Sequence, residues 1–169
     1  MFLIVQMRDY MCYIGVRTNL EKRTVDFCLV KSEEFEDSVE ELCGDDEEEV
    51  CVVWNVNELN NRKKEFYLTI TNSLGVAYIL TAKRSFGGIP NVDLTPLDTF
   101  DMEWDMACYL WRQDGDYLTI KTPTKMYWRT YVPILWAAKR PSFSSILVSQ
   151  VSDATPVQMV ESFDAHSLK

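Results

Sequence analysis

The chain has 169 residues and a formal charge of −9, with 47% hydrophobic and 12% aromatic residues. This apolar content is enough for a packed core, and it excludes a disordered chain, a collagen-like fibre and a small disulfide scaffold. The apolar run at residues 2–5 is far shorter than the roughly 18–20 residues that a membrane-spanning helix needs, so we expect no membrane span.

The first half of the sequence predicts β-strands joined by tight turns. Residues 1–7 are apolar at every position except Gln6, which is typical of a strand buried on both faces. Alternation between apolar and polar residues over 65–71 indicates an antiparallel sheet with one solvated face. Together these patterns predict strands at 1–7, 11–18, 23–30, 50–56, 65–71 and 75–83.

An acidic helix is predicted near 33–43. Ser32 is a suitable N-cap, Gly44 suits the position after the last helical turn, and acidic residues in the first turn favour the helix dipole. Residues 33–49 hold 11 acids and no base, so the rest of the chain carries a charge of about +2. We therefore expect a near-neutral body with one acidic appendage, whose flexible part is the segment at about 44–49.

The second half predicts more strands and a terminal helix. Asp114-Gly115 is a strong signal for a hairpin between residues 106–111 and 117–122. Residues 123–141 remain ambiguous, because Pro133 fits an edge strand or the start of a helix. A strand is predicted at 145–151. A capping box that begins at Thr155 predicts a C-terminal helix near 156–165.

The order of these elements predicts a single domain, 1–169, of the α+β class. Sequential hairpins favour antiparallel pairing, and no alternation of single strands and helices appears. We expect a mostly antiparallel sheet that forms a curled sheet, a half-barrel or a barrel, together with the two helices.

Cysteine usage bears on the compartment and on metals. The five cysteines are an odd number without a CxxC pair, and no signal-peptide pattern is present. This favours free thiols and a cytoplasmic or nuclear protein. Because His166 is the only histidine, we expect neither a zinc site nor a His-activated nucleophile. No cofactor is predicted.

The residues that best indicate a function are bases interleaved with aromatic side chains over 121–140. Within this basic-aromatic segment, Trp128, Tyr131 and Trp136 are the expected apolar anchors, and Lys125 and Arg129 are the expected orienting charges. Trp, Tyr and Arg are enriched at the centres of protein interfaces. The same composition also suits single-stranded RNA, whose bases stack on aromatic rings.

The acidic helix is the second candidate contact surface. A carboxylate-rich face attracts a basic partner and steers its approach. Alternatively, this helix solubilises the chain, or it covers the basic-aromatic segment of its own chain. The residues expected to attract a basic partner surface are Glu36, Asp37, Glu40 and Glu41.

We therefore predict a non-enzymatic intracellular binding or regulatory protein that acts through protein–protein contacts. The first alternative is a single-stranded RNA-binding module. The second is a metal-dependent enzyme that uses carboxylates at 98–105. Asp98, Asp101 and Asp105 would share one face if this stretch is a helix, and Asp101, Glu103 and Asp105 would share one face if it is a strand. A small-ligand carrier follows only if the sheet closes around a cavity.

Overall fold

The structure is a computed structural model of the chain, and it describes twelve stretches of residues. They are 1–6, 11–31, 48–59, 62–83, 91–101, 108–115, 117–122, 126–132, 134–135, 142–143, 147–149 and 155–161. The acidic helix predicted near 33–43 lies outside these residues. Glu48 and Glu49, which we expected at the end of the flexible acidic segment, belong to a strand.

The described residues form β-strands and one short 3₁₀ helix, Leu97–Thr99. The predicted antiparallel sheet is confirmed. The strands are β1 (Phe2–Gln6), β2 (Met11–Asn19), β3 (Thr24–Lys31), β4 (Glu48–Cys51), β5 (Asn55–Glu58), β6 (Phe66–Thr71), β7 (Ala77–Lys83), β8 (Asn91–Pro96), β9 (Trp111–Asp114), β10 (Tyr117–Lys121), β11 (Tyr127–Val132), β12 (Ile134–Leu135), β13 (Ser142–Phe143), β14 (Leu147–Ser149) and β15 (Thr155–Val160).

The N-terminal part of the sheet is centred on β2. This strand pairs with β3 over eight of its nine residues, from Cys12 opposite Lys31 to Asn19 opposite Thr24. On its other side β2 pairs first with β1 and then with β4, and β15 adds to the far side of β1. Because β2 is thus flanked on both sides and packed above and below, seven of its nine residues are buried.

The remaining large strands curl around a common core. They pair in the order β10, β9, β6, β7, β8, β14, β11, and β10 also pairs with β11. Among the described residues, two links in this order consist of one residue pair each, Phe66 with Trp111 and Leu147 with Asn91. β5 pairs with β6 outside this order, and β12 and β13 form a separate two-stranded ladder.

Two apolar clusters lie on opposite faces of β1 and β2. The smaller cluster contains Ile4 and Tyr13, and the Phe2 ring contacts Tyr13 with 5.2 Å between centroids. The larger cluster joins the other face of these strands to the inner side of the curled strands. Its members fully shielded from solvent include Leu3, Ile14, Trp54, Leu68, Trp111 and Val132.

The helix predicted over 156–165 is wrong for residues 156–160, which belong to β15. The local capping signal is outweighed by pairing, because β15 supplies the second neighbour that the apolar strand β1 needs. Pro156 is accommodated near the beginning of the strand, opposite Tyr131, where proline interrupts a ladder least. Val157 enters the core. Residues 162–165 lie outside the described part of the chain.

The other predictions for the second half are confirmed in part. The hairpin around Asp114-Gly115 is present, with Tyr117 opposite Asp114. Tyr131 and Val132 belong to a strand, so the helical interpretation of this region is wrong for them. They are not at an edge either, because β11 pairs with β14 on one side and with β10 and then β15 on the other.

Gly15 is the position at which β2 tolerates no side chain. A Cβ atom there would lie 2.7 Å from the Cys51 carbonyl oxygen and 2.8 Å from Val52 Cγ1. We therefore expect Gly15→Ala to lower the free energy of unfolding by about 1–3 kcal/mol, as overpacked cores do. Denaturant unfolding measures this. Ser73→Ala, in an exposed turn, is the control and should change it by less than about 0.5 kcal/mol; equal effects would contradict the packing.

Candidate binding face on β9, β10 and β11

Strand pairing sorts the side chains of β9, β10 and β11 onto two faces. Trp111, Ile120 and Trp128 are directly opposite one another and lie on the inner face, against the larger cluster. Residues one position along from these point away from the core. We call this outer surface the arginine–tyrosine face; it consists of Arg112, Asp114, Tyr117, Thr119, Lys121, Tyr127, Arg129 and Tyr131.

Two arginines stack on two tyrosines across this face. The Arg112 guanidinium carbon lies 3.5 Å from the centroid of the Tyr127 ring, and that of Arg129 lies 4.0 Å from the centroid of Tyr117. Between the two arginines Thr119 is paired with both and is only 2% exposed. Stacking on a ring face holds a guanidinium plane in one orientation and keeps its N–H groups available.

The arginines differ in their charge partners. Arg112 forms an ion pair with Asp114, at 3.6 Å between Nη2 and Oδ2. Arg129 is exposed and contacts no carboxylate among the residues that the structure describes. Its positive charge is therefore directed at solvent and is the one on this face best placed to meet an anionic group from outside.

A buried carboxylate lies at one side of the face. Glu65 is 2% exposed, and its Oε2 accepts a hydrogen bond from Lys121 Nζ at 3.3 Å. Burial of the Tyr127 hydroxyl raises the pKa of this tyrosine, and the neighbouring Glu65 carboxylate raises it further. Arg112 and Lys121 oppose this effect. The phenol is consequently held neutral beside the carboxylate.

The structure brings together only part of the predicted basic-aromatic segment. Arg129 and Tyr131 share the outer face, whereas Trp128 is half-buried on the inner face, and its buried Nε1 has no hydrogen-bond partner among the described residues. Lys125 and Trp136 lie outside the described part of the chain. So do Glu36, Asp37, Glu40 and Glu41, the expected contacts for a basic partner.

Sequence reasoning missed Arg112, Tyr117 and Glu65. The signal for the first two was present: the predicted hairpin around Asp114-Gly115 places side chains at every second position on one face. Following that alternation from Arg112 through Tyr117 would have extended the segment across three strands. Glu65 had no such signal, since β6 reaches β9 through a single long-range residue pair.

The carboxylates at 98–105 do not form a described cluster. Asp98 and Asp101 are exposed at the short 3₁₀ helix, and Glu103 and Asp105 lie outside the described residues. Across the twelve described stretches, no three His, Cys, Asp or Glu side chains are close enough to hold a metal ion. Within the same stretches, no helix has the length and apolarity to cross a membrane.

Replacing Glu65 by Gln tests the electrostatics of this face. Glu65→Gln removes the negative charge, so we expect the pKa of Tyr127 to fall towards its ordinary value. Because a raised folded-state pKa means that the unfolded chain ionises first, parent stability should decrease as pH rises past the ordinary tyrosine pKa, and less steeply in the variant. Tyrosine ¹³Cζ shifts follow the ionisation.

Asp26→Asn, at an exposed position of β3, removes a carboxylate from elsewhere and should leave the pKa of Tyr127 unchanged. A Tyr127 pKa at the ordinary tyrosine value in the parent protein would contradict the described environment. An equal fall of the Tyr127 pKa in both variants would show that Glu65 has no special role.

Known proteins do not identify this face. No protein-family model, no curated protein and no solved structure matches the chain. The function of this face is therefore inferred from its own residues. Their arrangement is a slightly positive surface on paired strands, in which two guanidinium groups lie over tyrosine rings.

Proposed function

We propose that the chain is a non-enzymatic binding protein that contacts an acidic surface of a protein partner through the arginine–tyrosine face. The observation that supports this most directly is Arg129, an exposed guanidinium that is stacked on Tyr117 and has no carboxylate partner in the described part of the chain. A carboxylate from a partner would pair with its N–H groups in a bidentate geometry.

Preorganisation supports the same proposal. The stacked arginines are attached to paired strands rather than to loops, so binding would freeze few torsions. Next to Arg129, Tyr131 is half-buried and offers apolar area with a polar end. Met126, at 49% exposure, extends the apolar area at the start of β11. Tyrosine and arginine are the residue types that contribute most at interface centres.

A protein partner is favoured over single-stranded RNA because the tyrosine rings of this face are already stacked with arginines. Arg112 and Arg129 already cover one face each of Tyr127 and Tyr117, where a base would otherwise stack. Asp114 and the Glu65 carboxylate also place negative charge beside this surface, which disfavours a phosphate backbone. The acidic helix, with its basic partner surface, remains a prediction for residues outside the described stretches.

Charge reversal at Arg129 tests this proposal. We expect Arg129→Glu to weaken capture of the partner from an extract of the producing cells by roughly 30-fold, the effect of losing a central arginine contact. The loss should occur without unfolding, because the side chain is exposed. Quantitative mass spectrometry of captured proteins, with and without ribonuclease, measures it.

Lys22→Glu is the matched control, since it reverses the same charge in the exposed turn between β2 and β3. It should leave capture unchanged. Equal capture by the parent and Arg129→Glu proteins would contradict the proposal. Capture that disappears with ribonuclease would show that RNA, and not a protein surface, is the ligand.

A further inference from the structure

The outer edge of β5 is a second candidate contact site, distinct from the arginine–tyrosine face. Among the described strands, β5 pairs with β6 alone. The Leu59 N–H donates to the Glu65 carbonyl oxygen at 3.0 Å, so these two residues form a hydrogen-bonded pair at the end of the ladder. Because hydrogen-bonded and non-hydrogen-bonded pairs alternate in an antiparallel ladder, Val56 and Glu58 direct their backbone groups away from β6.

The ladder on the other side of β6 has the complementary alternation. There the Asn72 N–H donates to the Val76 carbonyl oxygen at 3.1 Å, so the even-numbered residues of β6, such as Ile70, form their backbone hydrogen bonds with β7. The odd-numbered residues of β6 consequently face β5. Within the described part of the chain, no strand pairs with the two N–H and two C=O groups that Val56 and Glu58 turn outward.

β8 shows by contrast how a strand edge is blocked in this fold. The Leu94 N–H donates to the Asp93 side-chain Oδ1 at 2.8 Å, and Pro96 has no N–H to offer. Charged side chains and proline at such positions prevent the addition of another strand. The outward groups of Val56 and Glu58 have neither device, so β5 can accept a strand.

The two ends of this edge differ in character. Arg62, Lys63 and Lys64 follow β5 in the turn that leads to β6, and all three are exposed. None of them forms an ion pair with a described residue. Val53, which precedes β5, is 49% exposed. A strand added here would therefore meet uncompensated positive charge at one end and an apolar side chain at the other.

We propose that β5 binds an extended acidic segment of a protein partner by strand addition. Backbone hydrogen bonds to Val56 and Glu58 hold the segment, its carboxylates face the cations at 62–64, and an apolar side chain contacts Val53. Main-chain bonds of this kind give affinity without selectivity, so the opposite charges select the partner. The site does not depend on the arginine–tyrosine face.

Titration of the full chain with a six-residue peptide that alternates valine and glutamate tests the proposal. Without peptide, the Val56 and Glu58 amide protons should exchange rapidly with solvent, whereas that of Asn57, which is paired with Tyr67, should be protected. Peptide should shift the ¹H–¹⁵N signals of Val56 and Glu58 saturably and slow their exchange. The same peptide with all backbone nitrogens methylated, or with lysine in place of glutamate, should not bind.

Variants separate the backbone contribution from the charge. Glu58→Pro removes an N–H that points away from β6, a position at which an edge strand tolerates proline, and peptide affinity should fall at least about fivefold. Glu58→Gln removes only the negative charge and should not weaken binding. Lys63→Glu should weaken binding about three- to fivefold at low salt, whereas Lys22→Glu, the same reversal in the turn between β2 and β3, should not.

Equal affinity for the methylated peptide, or unchanged exchange at Val56 and Glu58, would overturn the proposal, and both are measured on the parent chain even if Glu58→Pro does not fold. Protection of these amides that grows with protein concentration in the absence of peptide would identify a second copy as the occupant and would also overturn it. Arg129→Glu should leave peptide binding unchanged, so the capture experiment above tests the arginine–tyrosine face separately.

Discussion

The row formed by Trp111, Ile120 and Trp128 is the constraint on which the arrangement of the second half depends. These three side chains are opposite one another on β9, β10 and β11, and Trp111 and Ile120 are fully buried. Because side chains alternate between the two faces of a strand, the residues next to these three must point to the outer face. Arg112, Thr119 and Arg129 must then line up on the outer face.

Two buried indoles fix this core in place. The Trp111 Nε1–H donates to the Leu80 carbonyl oxygen at 3.1 Å, and Trp54 Nε1–H donates to that of Ile14 at 3.0 Å. Trp54 lies between β4 and β5, so its indole connects the N-terminal strands to the curled strands. Each indole therefore combines a large buried apolar area with a satisfied polar group, which sets one packing and one register.

Local patterns predicted the strands well and failed where pairing over long distances decides. The hairpin at Asp114-Gly115 and the strand at 65–71 follow from turn chemistry and alternation. At Thr155 the capping box indicated a helix, because nothing nearby shows that β1 requires a neighbour. The same distinction holds for the arginine–tyrosine face. Arg129 and Tyr131 were predictable from the local sequence pattern, whereas the contribution of Glu65 depends on the long-range pairing of β6 with β9.

The central claim is that the outer face of β9, β10 and β11 is the surface that a protein partner covers. Hydroxyl-radical footprinting of the free protein and of its captured complex tests this most directly. The account predicts reduced oxidation of Tyr117, Met126 and Tyr131 in the complex, with no change at the exposed Leu74. Unchanged oxidation at Tyr117, Met126 and Tyr131, with protection elsewhere, would contradict it.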